Sequence, residues 1–374
     1  MKQLQIALVS PFPPLKGGIS RFTAELSQAL SAAGHKPLHI GFRSLYPRFI
    51  LRGRAAAPSA TSFPQDALLV LYNPLTWVRT AIMLRRLRPD VVLIAYWAGF
   101  LAPLCFVLRR LTGLRTVLLL HNLSSHESFF FEPLMRRILK RSADRVITLS
   151  PTVDRDVAAY LPSMPRLLLS HPDYLPAAEL PPPEEARRAL GLKPDGHLLL
   201  FFGYVRRYKG LDLLLESLAL LHACTDLHLV VAGEFYEPLE PYRAMVSRLG
   251  IEDRVTLHPG YVQPERSVLY FAAADALVLP YRSATQSGVA GLARGCGLPL
   301  IVTPAGSLPE AVPPGSGGVV ADECSAAGIA RAIKAFLDAP GGGQRILAGS
   351  WTISWAEFAD AVAVFLRAAA EDGR

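Results

Sequence analysis

Short continuous runs of apolar residues recur along the chain, each closed by a Gly, Pro or polar turn and followed by a stretch with helical spacing. In the first half the runs lie at residues 5–9, 37–41, 68–71, 91–95, 116–120 and 146–149. In the second half they lie at 198–202, 227–232, 254–258, 276–279 and 300–303. Strands covered on both faces need such uninterrupted runs, and their alternation with helical segments predicts parallel, doubly wound α/β sheets. Ile19, Phe22, Leu26, Leu30 and Ala33 share one face of the first predicted helix, which Gly34 ends. Trp355, Phe358, Val362 and Leu366 are spaced as one face of a last helix.

Between the two series of runs lie Pro172, Pro176, Pro181, Pro182, Pro183 and Pro194 with few apolar residues. Proline stiffens a connection, so residues 173–196 read as a linker between domains at 1–172 and 197–354. A length of 374 residues gives the same count of two domains, and a hydrophobic share of 51% excludes global disorder. Residues 91–108 carry no charge, the lower limit for a membrane span. Gly99 and Pro103 interrupt them, which favours a buried strand followed by a helix over insertion. The first apolar run is too short for a signal-peptide core and reads as the first strand. Cys105, Cys224, Cys296 and Cys324 have neither disulfide nor metal spacing, the pattern of reduced, packed thiols in a cytoplasm.

Charge divides the chain unevenly. Residues 1–172 hold 22 Lys and Arg against 8 Asp and Glu, whereas the remaining 202 residues hold 17 against 23. A balance of +14 in the first half calls for an anionic partner there: lipid headgroups, an acidic acceptor or nucleic acid. Nucleic acid is disfavoured, because no recognition motif accompanies the charge.

Two loops in the second half carry candidate chemistry. Thr285, Gln286, Ser287 and Gly288 form a polar turn ahead of a short helix of small residues. Backbone N–H groups at such a helix start lack intrahelical partners and attract anions, and Gly288 allows close approach. The segment Gly203-Tyr-Val-Arg-Arg-Tyr-Lys-Gly-Leu-Asp212 follows an apolar strand, so Arg206 or Arg207 and Lys209 can reach a phosphate ester. In the first half, Gly17-Gly18 precedes the first helix at the sheet edge where open α/β sheets bind ligands. His121 follows the strand at 116–120 on that edge. His126 and Glu127 lie on the same loop, but two histidines five apart do not make a metal site. Asp154-Arg-Asp156 falls early in a predicted helix, where acidic side chains suit the dipole, and no metal is proposed. No Gly-x-Gly-x-x-Gly follows the first strand, which disfavours a dinucleotide-dependent oxidoreductase.

Taken in order, these segments resemble glycosyltransferase family 4, the retaining enzymes of GT-B fold. The resemblance rests on Pro11-Phe-Pro-Pro-Leu-Lys-Gly-Gly18, His121-Asn122 with His126-Glu127, and Phe202-Gly with Tyr208-Lys-Gly-Leu-Asp212. It continues through Val231-Ala-Gly-Glu234, His258-Pro-Gly-Tyr-Val262 and Gln286-Ser-Gly-Val with Gly306-Ser-Leu-Pro-Glu310. It implies two Rossmann-like domains facing across a cleft, with the last helix, about 355–374, packing back on the first domain. It also implies sugar transfer from a nucleotide-diphosphate sugar, without metal or other cofactor, to a glycan or lipid-linked acceptor. His121 would then be the catalytic residue, standing beside donor and acceptor to position groups or handle the acceptor proton. Gly17, Gly18, Arg206, Lys209, Gln286, Ser287, Gly288 and Val289 would hold the donor, and Gly233, Glu234, Tyr261 and Val262 would lie near the nucleotide.

Two departures from the family pattern matter. Many members carry two glutamates eight residues apart around the short helix, and alignment on Cys296-Gly-Leu-Pro299 puts Ala284 and Leu292 there. An arginine often follows the Gly203 equivalent; here it is Tyr204, with Arg206 nearby. A catalytically weak or inactive nucleotide-sugar-binding or scaffold protein is therefore the rival expectation. Finally, residues 42–54 interleave Arg43, Arg48, Arg52 and Arg54 with aromatic and aliphatic side chains. That mixture suits the headgroup boundary of an anionic membrane and predicts a cytoplasmic protein attached peripherally to it.

Overall fold

The structure is a computed structural model that describes residues 2–15, 17–45, 68–123, 132–174, 179–284, 287–339 and 353–372. The chain forms two compact units, one of residues 1–171 with 353–374 and one of residues 172–352. The first contains β1 (Gln5–Ser10), α1 (Gly18–Ala32), β2 (Lys36–Ser44), β3 (Leu69–Val70), α2 (Pro74–Leu87) and β4 (Val91–Tyr96). It continues with α3 (Ala102–Thr112), β5 (Thr116–Leu120), α4 (Glu132–Leu139), β6 (Arg145–Thr148), α5 (Pro151–Tyr160) and β7 (Arg166–Leu168). All seven strands pair in parallel, in the order β3-β2-β1-β4-β5-β6-β7.

Side chains alternate across a strand, so the central strands feed two cores. Ala7, Val9, Val92, Ile94, Leu118 and Leu120 face a cluster completed by Ala81 and Leu84 of α2, Leu104 and Leu108 of α3 and Val153 of α5. Their neighbours Ile6, Leu8, Val91, Leu93, Val117 and Leu119 face Phe22, Leu26 and Leu30 of α1. Phe358, Val362 and Leu366 of the last helix pack into that same layer. Residues 91–108 fold as β4, a short 3-10 turn at Gly99–Leu101 and the start of α3. No helix among the described residues is long and apolar enough to cross a membrane.

The second unit contains α6 (Pro183–Ala189), β8 (His197–Phe202), α7 (Leu211–Leu220), β9 (Leu227–Gly233), α8 (Glu240–Arg248) and β10 (Val255–Pro259). There follow α9 (Pro264–Ala273), β11 (Ala276–Leu279), α10 (Gly288–Gly295), β12 (Leu300–Val302), β13 (Val319–Val320) and α11 (Ala326–Asp338). Its parallel sheet has the order β10-β9-β8-β11-β12-β13. Leu198, Leu200, Val230 and Leu277 face α9 and α10, whereas Leu199, Phe201, Leu229 and Val278 face α7 and α11. The final helix, α12 (Trp355–Glu371), begins at a capping box of Ser354 and Glu357 and belongs to the first unit. No disulfide joins the cysteines; Cys105 and Cys296 are buried, Cys324 exposed.

Residues 173–196, expected to be a linker, are largely built into the second unit. Asp173 is buried and accepts a 2.9 Å hydrogen bond from Arg294 of α10. Pro183 opens α6 at a position where a missing N–H costs nothing. Glu184 and Glu185 then sit in its first turn and Arg187 and Arg188 in its last, matching the helix dipole. Arg187 is itself buried. It donates to the carbonyls of Ala273 (2.9 Å), Pro194 (2.8 Å) and Gly196 (3.0 Å) and to the Asp275 carboxylate (3.0 Å). Replacing Arg187 with Met removes four hydrogen bonds at once, although Asp275 keeps the Leu198 N–H at 2.7 Å. Urea unfolding of the variant is expected to show a loss of about 3 kcal/mol, the low end for a broken buried pair because Asp275 retains some solvent. A loss below about 1 kcal/mol would refute this role for Arg187.

Candidate active site

In the second unit the carboxyl ends of β8, β9 and β10 converge on glycines. Gly203 donates its N–H to the Ala232 carbonyl (2.9 Å), and Gly260 donates to Gly233 (2.9 Å). Gly233, at φ 154°, lies so close that a Cβ there would stand 1.8 Å from the Gly203 carbonyl oxygen. The chain after Gly203 turns through a 3-10 segment, Arg207–Lys209, and reaches α7 through Gly210 in the left-handed region. A Cβ on Gly210 would stand 2.0 Å from the Pro280 oxygen, so this loop is pressed against the end of β11.

Lys209 is buried, with 7% of its surface exposed. No carboxylate among the described residues pairs with its ammonium. Its Nζ lies 5.1 Å from the centroid of the Tyr281 ring, whose face partly replaces a counter-ion. Burial holds its pKa below the ordinary lysine value, and Arg206 lowers it further while Tyr208 opposes the shift. The Arg206 guanidinium sits 4.5 Å from the ring centroid of Tyr236, which meets the Tyr204 ring edge-on at 4.9 Å. Arg206 is thus ordered by a ring rather than by a carboxylate.

The start of α10 reaches the same place. A Cβ on Gly203 would lie 3.7 Å from Lys209 Nζ and 3.5 Å from a Val289 methyl, so the cationic loop and the first turn of α10 border one space. Ser287 caps that helix by accepting from Ala290 N–H at 3.3 Å, and the Gly288 position is open. Gln286, with Thr285, lies outside the described residues. Arg282 ties the two loops: it pairs with both Asp212 oxygens at 2.7 Å and donates to the carbonyls of Arg207 (2.9 Å) and Tyr208 (2.7 Å). Around the rim, the Glu234 carbonyl accepts from Val205 N–H, Tyr261 lies in electrostatic range of Tyr204, and Val262 packs on the α9–α10 core. Sequence reasoning missed Tyr236, Tyr281 and Arg282. A charge-pairing search would have found Arg282 only with the fold in hand.

In the first unit, Gly17 at φ 135° precedes α1, and at both Gly17 and Gly18 a Cβ would meet no heavy atom within 4 Å. The first turn of α1 contains no acidic residue. His121 directly follows β5, donating its N–H to Tyr96 (2.8 Å), with its ring against the edge of Phe22 at 5.1 Å. Phe22 also touches His171 (4.9 Å) and Trp355 (5.1 Å). Burial, and secondarily His171, push the His121 pKa down to about 3, so the imidazole is neutral near pH 7. Asp154 accepts from Thr148 (2.9 Å) and pairs with Arg166 (3.4 Å), and no metal-ligating cluster occurs among the described residues. Arg43 is exposed on β2. Arg48, Arg52, Arg54, His126 and Glu127 lie outside the described residues.

Two family models match the chain: "Glycosyltransferase Family 4" over residues 16–166 and "Glycosyl transferases group 1" over residues 196–339. Among curated relatives, a D-inositol 3-phosphate glycosyltransferase of Catenulispora acidiphila is 34% identical over 250 residues, 62% of this chain and 59% of the relative. The chain therefore spans less than two thirds of that relative. One from Pseudarthrobacter chlorophenolicus is 28% identical over 354 residues, 87% of this chain and 83% of its own. Among solved structures, sucrose-phosphate synthase of Thermosynechococcus elongatus superposes with a TM-score of 0.73 at 19% identity, over 99% of this chain and 97% of that one. The Anabaena protein HepE in complex with UDP-glucose gives 0.68 at 15% identity, over 99% and 98%. At such identities the structural likeness concerns the fold.

Proposed function

The chain belongs to glycosyltransferase family 4 and has the GT-B fold, and from that premise we infer that it moves a sugar from a nucleotide-diphosphate sugar to an anionic or membrane-associated glycan or lipid-linked acceptor. The observation that carries this reading is Lys209, a buried cation with no carboxylate partner among the described residues, beside the start of α10. A buried charge without a partner is costly, and a diphosphate supplies the missing anion. As the anomeric C–O bond breaks, its electron pair leaves on the diphosphate. Lys209, Arg206 and the amides of Gly288 and Val289 stabilise that charge electrostatically, with no metal required. Ser287 and Gln286 add hydrogen bonds, and Glu234, Tyr261 and Val262 with Gly233 flank the nucleotide. The acceptor hydroxyl attacks the anomeric carbon from the side the diphosphate leaves and passes its proton to the departing diphosphate oxygen, so the new C–O bond forms with retention. Gly17 and Gly18 leave open space for an anion to approach their amides, and neutral His121 orients rather than ionises. The inositol phosphate in the relatives' name is an anionic acceptor, in keeping with the basic first unit.

Calorimetric titration with UDP, GDP and their sugars tests the donor site. One nucleotide is expected to bind, and Lys209→Ala to weaken it by about 1.5–3 kcal/mol, the range for a charge-assisted hydrogen bond. Absence of binding to all of them rules the reading out.

A second reading is a weak or inactive relative that binds nucleotide sugar without turnover. It is favoured by Ala284, buried in the α9–α10 core, and Leu292, packed on that core, neither of which offers a polar group. Robust turnover by the wild type excludes it, and activity gained by Ala284→Glu with Leu292→Glu supports it. On the first reading the protein works at the cytoplasmic face of a membrane as a peripheral protein, with Arg43, Arg48, Arg52 and Arg54 meeting anionic headgroups.

A further inference from the structure

Fourteen large hydrophobic side chains are exposed among the described residues, and six of them lie between Leu68 and Leu87: Leu68, Tyr72, Leu75, Val78, Ile82 and Leu87. The concentration is greatest along α2, where Leu75 is 72% exposed, Ile82 48% and Val78 40%. At about 3.6 residues per turn, these three share one side of the helix with Arg79 and Arg86, opposite the buried Thr80 and Leu84. Arg85 flanks the stripe and Arg88 caps the helix. Residues 68–89 contain no Asp or Glu, and Arg79, Arg85, Arg86 and Arg88 are all exposed without an ion pair among the described residues. Nothing in the core explains an outward apolar line edged with unmatched arginines.

We propose that this outer face of α2 seats the protein on an anionic lipid bilayer. Leu75, Val78 and Ile82 enter the headgroup layer while the arginine stems lie along the apolar boundary and their guanidiniums meet lipid phosphates. Charge selects this occupant over a second copy of the chain. A two-fold contact through α2 would bring the arginines of both copies together with no acidic residue between them. An exposed line of three aliphatic side chains with cations at its borders is complementary to a surface that is apolar beneath and anionic above. The placement also has a consequence for substrate access. α2 follows β3, so its first turn lies at the carboxyl edge of the parallel sheet, the edge that carries Gly17, Gly18 and His121. A bilayer against α2 would present membrane-resident molecules to that edge.

The proposal rests on the membrane reading above and narrows it to one surface, so the experiment separates the two. Full-length protein is floated with vesicles of phosphatidylcholine alone and of phosphatidylcholine with phosphatidylglycerol, at low and high salt. Two variants accompany it, Leu75→Ser with Ile82→Ser, and Arg79→Ser with Arg85→Ser and Arg86→Ser. All five positions are exposed, so unchanged thermal unfolding and unchanged nucleotide titration are expected and serve as the folding control. The wild type should float with the anionic vesicles and lose binding as salt rises. Each variant should lower the partition coefficient at least tenfold. Anionic binding that both variants retain would overturn the α2 assignment and leave the membrane reading standing. Absence of flotation at low salt would overturn both. A dimer in sedimentation that Leu75→Ser with Ile82→Ser abolishes would overturn the lipid assignment in favour of a second copy.

Discussion

Gly233→Ala is expected to cost about 4 kcal/mol or more of stability and to abolish nucleotide binding in any variant that still folds. The added methyl would stand 1.8 Å from the Gly203 carbonyl oxygen and 2.6 Å from its carbon, and both atoms are backbone. No rotamer change relieves such an overlap, so β8 and β9 must separate where the cationic loop leaves the sheet. Backbone conformation adds to the cost, since a φ of 154° lies in a region that L side chains rarely adopt. Gly250→Ala is the matched control. Gly250 is also at positive φ, 64°, but nothing lies within 4 Å of its Cβ position, so about 1 kcal/mol of left-handed strain is expected. Urea unfolding of both variants, with calorimetry of the folded fraction, decides. Equal losses at the two sites would mean that the approach of Gly233 to Gly203 does not constrain the sheet.

That contact shows what could and could not be read from residues alone. Each predicted apolar run coincides with a strand, because a strand buried on both faces needs an apolar side chain at nearly every position. β7 and β13 escaped notice for the complementary reason: they are short sheet-edge strands with Arg166, Leu168 and Val320 exposed, and only three apolar residues in a row mark each, at 167–169 and 319–321. The prolines at 181–183 misled, since a proline at the first turn of a helix looks the same in sequence as one in a linker. Lys209 and Val289 could be proposed from residues alone, because the loop after β8 and the helix after β11 both leave the carboxyl edge of a parallel sheet, where ligands of α/β folds gather. Tyr236, Tyr281 and Arg282 could not. Arg282 meets Asp212 across 70 residues, and only the adjacency of β8 and β11 brings them together. The ring under Lys209 likewise has no signature apart from the fold.

His121 sets the second large effect, a loss of stability on acidification. Its folded-state pKa of about 3 lies below the ordinary value of 6.5, with burial as the main cause and His171 as the second. Between those values the unfolded chain binds a proton that the folded chain refuses. Stability therefore rises with pH across this window and falls as pH drops from about 6.5 towards 3. The slope for one such proton is about 1.4 kcal/mol per pH unit, or roughly 5 kcal/mol over the whole window. His35, His228 and His258 also have lowered pKa values caused mainly by burial and push in the same direction, so the total slope is not specific to His121. The difference between wild type and His121→Gln is. Urea unfolding at steps between pH 7 and 4.5, above the range where Asp144 and Asp212 titrate, should give a wild-type curve steeper than the variant's by about one proton. Parallel curves would show that His121 is hydrated enough to ionise normally. The same neutrality constrains the chemistry: a kcat/KM profile between pH 5 and 8 should show no inflection that His121→Gln removes. An inflection that disappeared in the variant would instead establish His121 as a proton-transfer group.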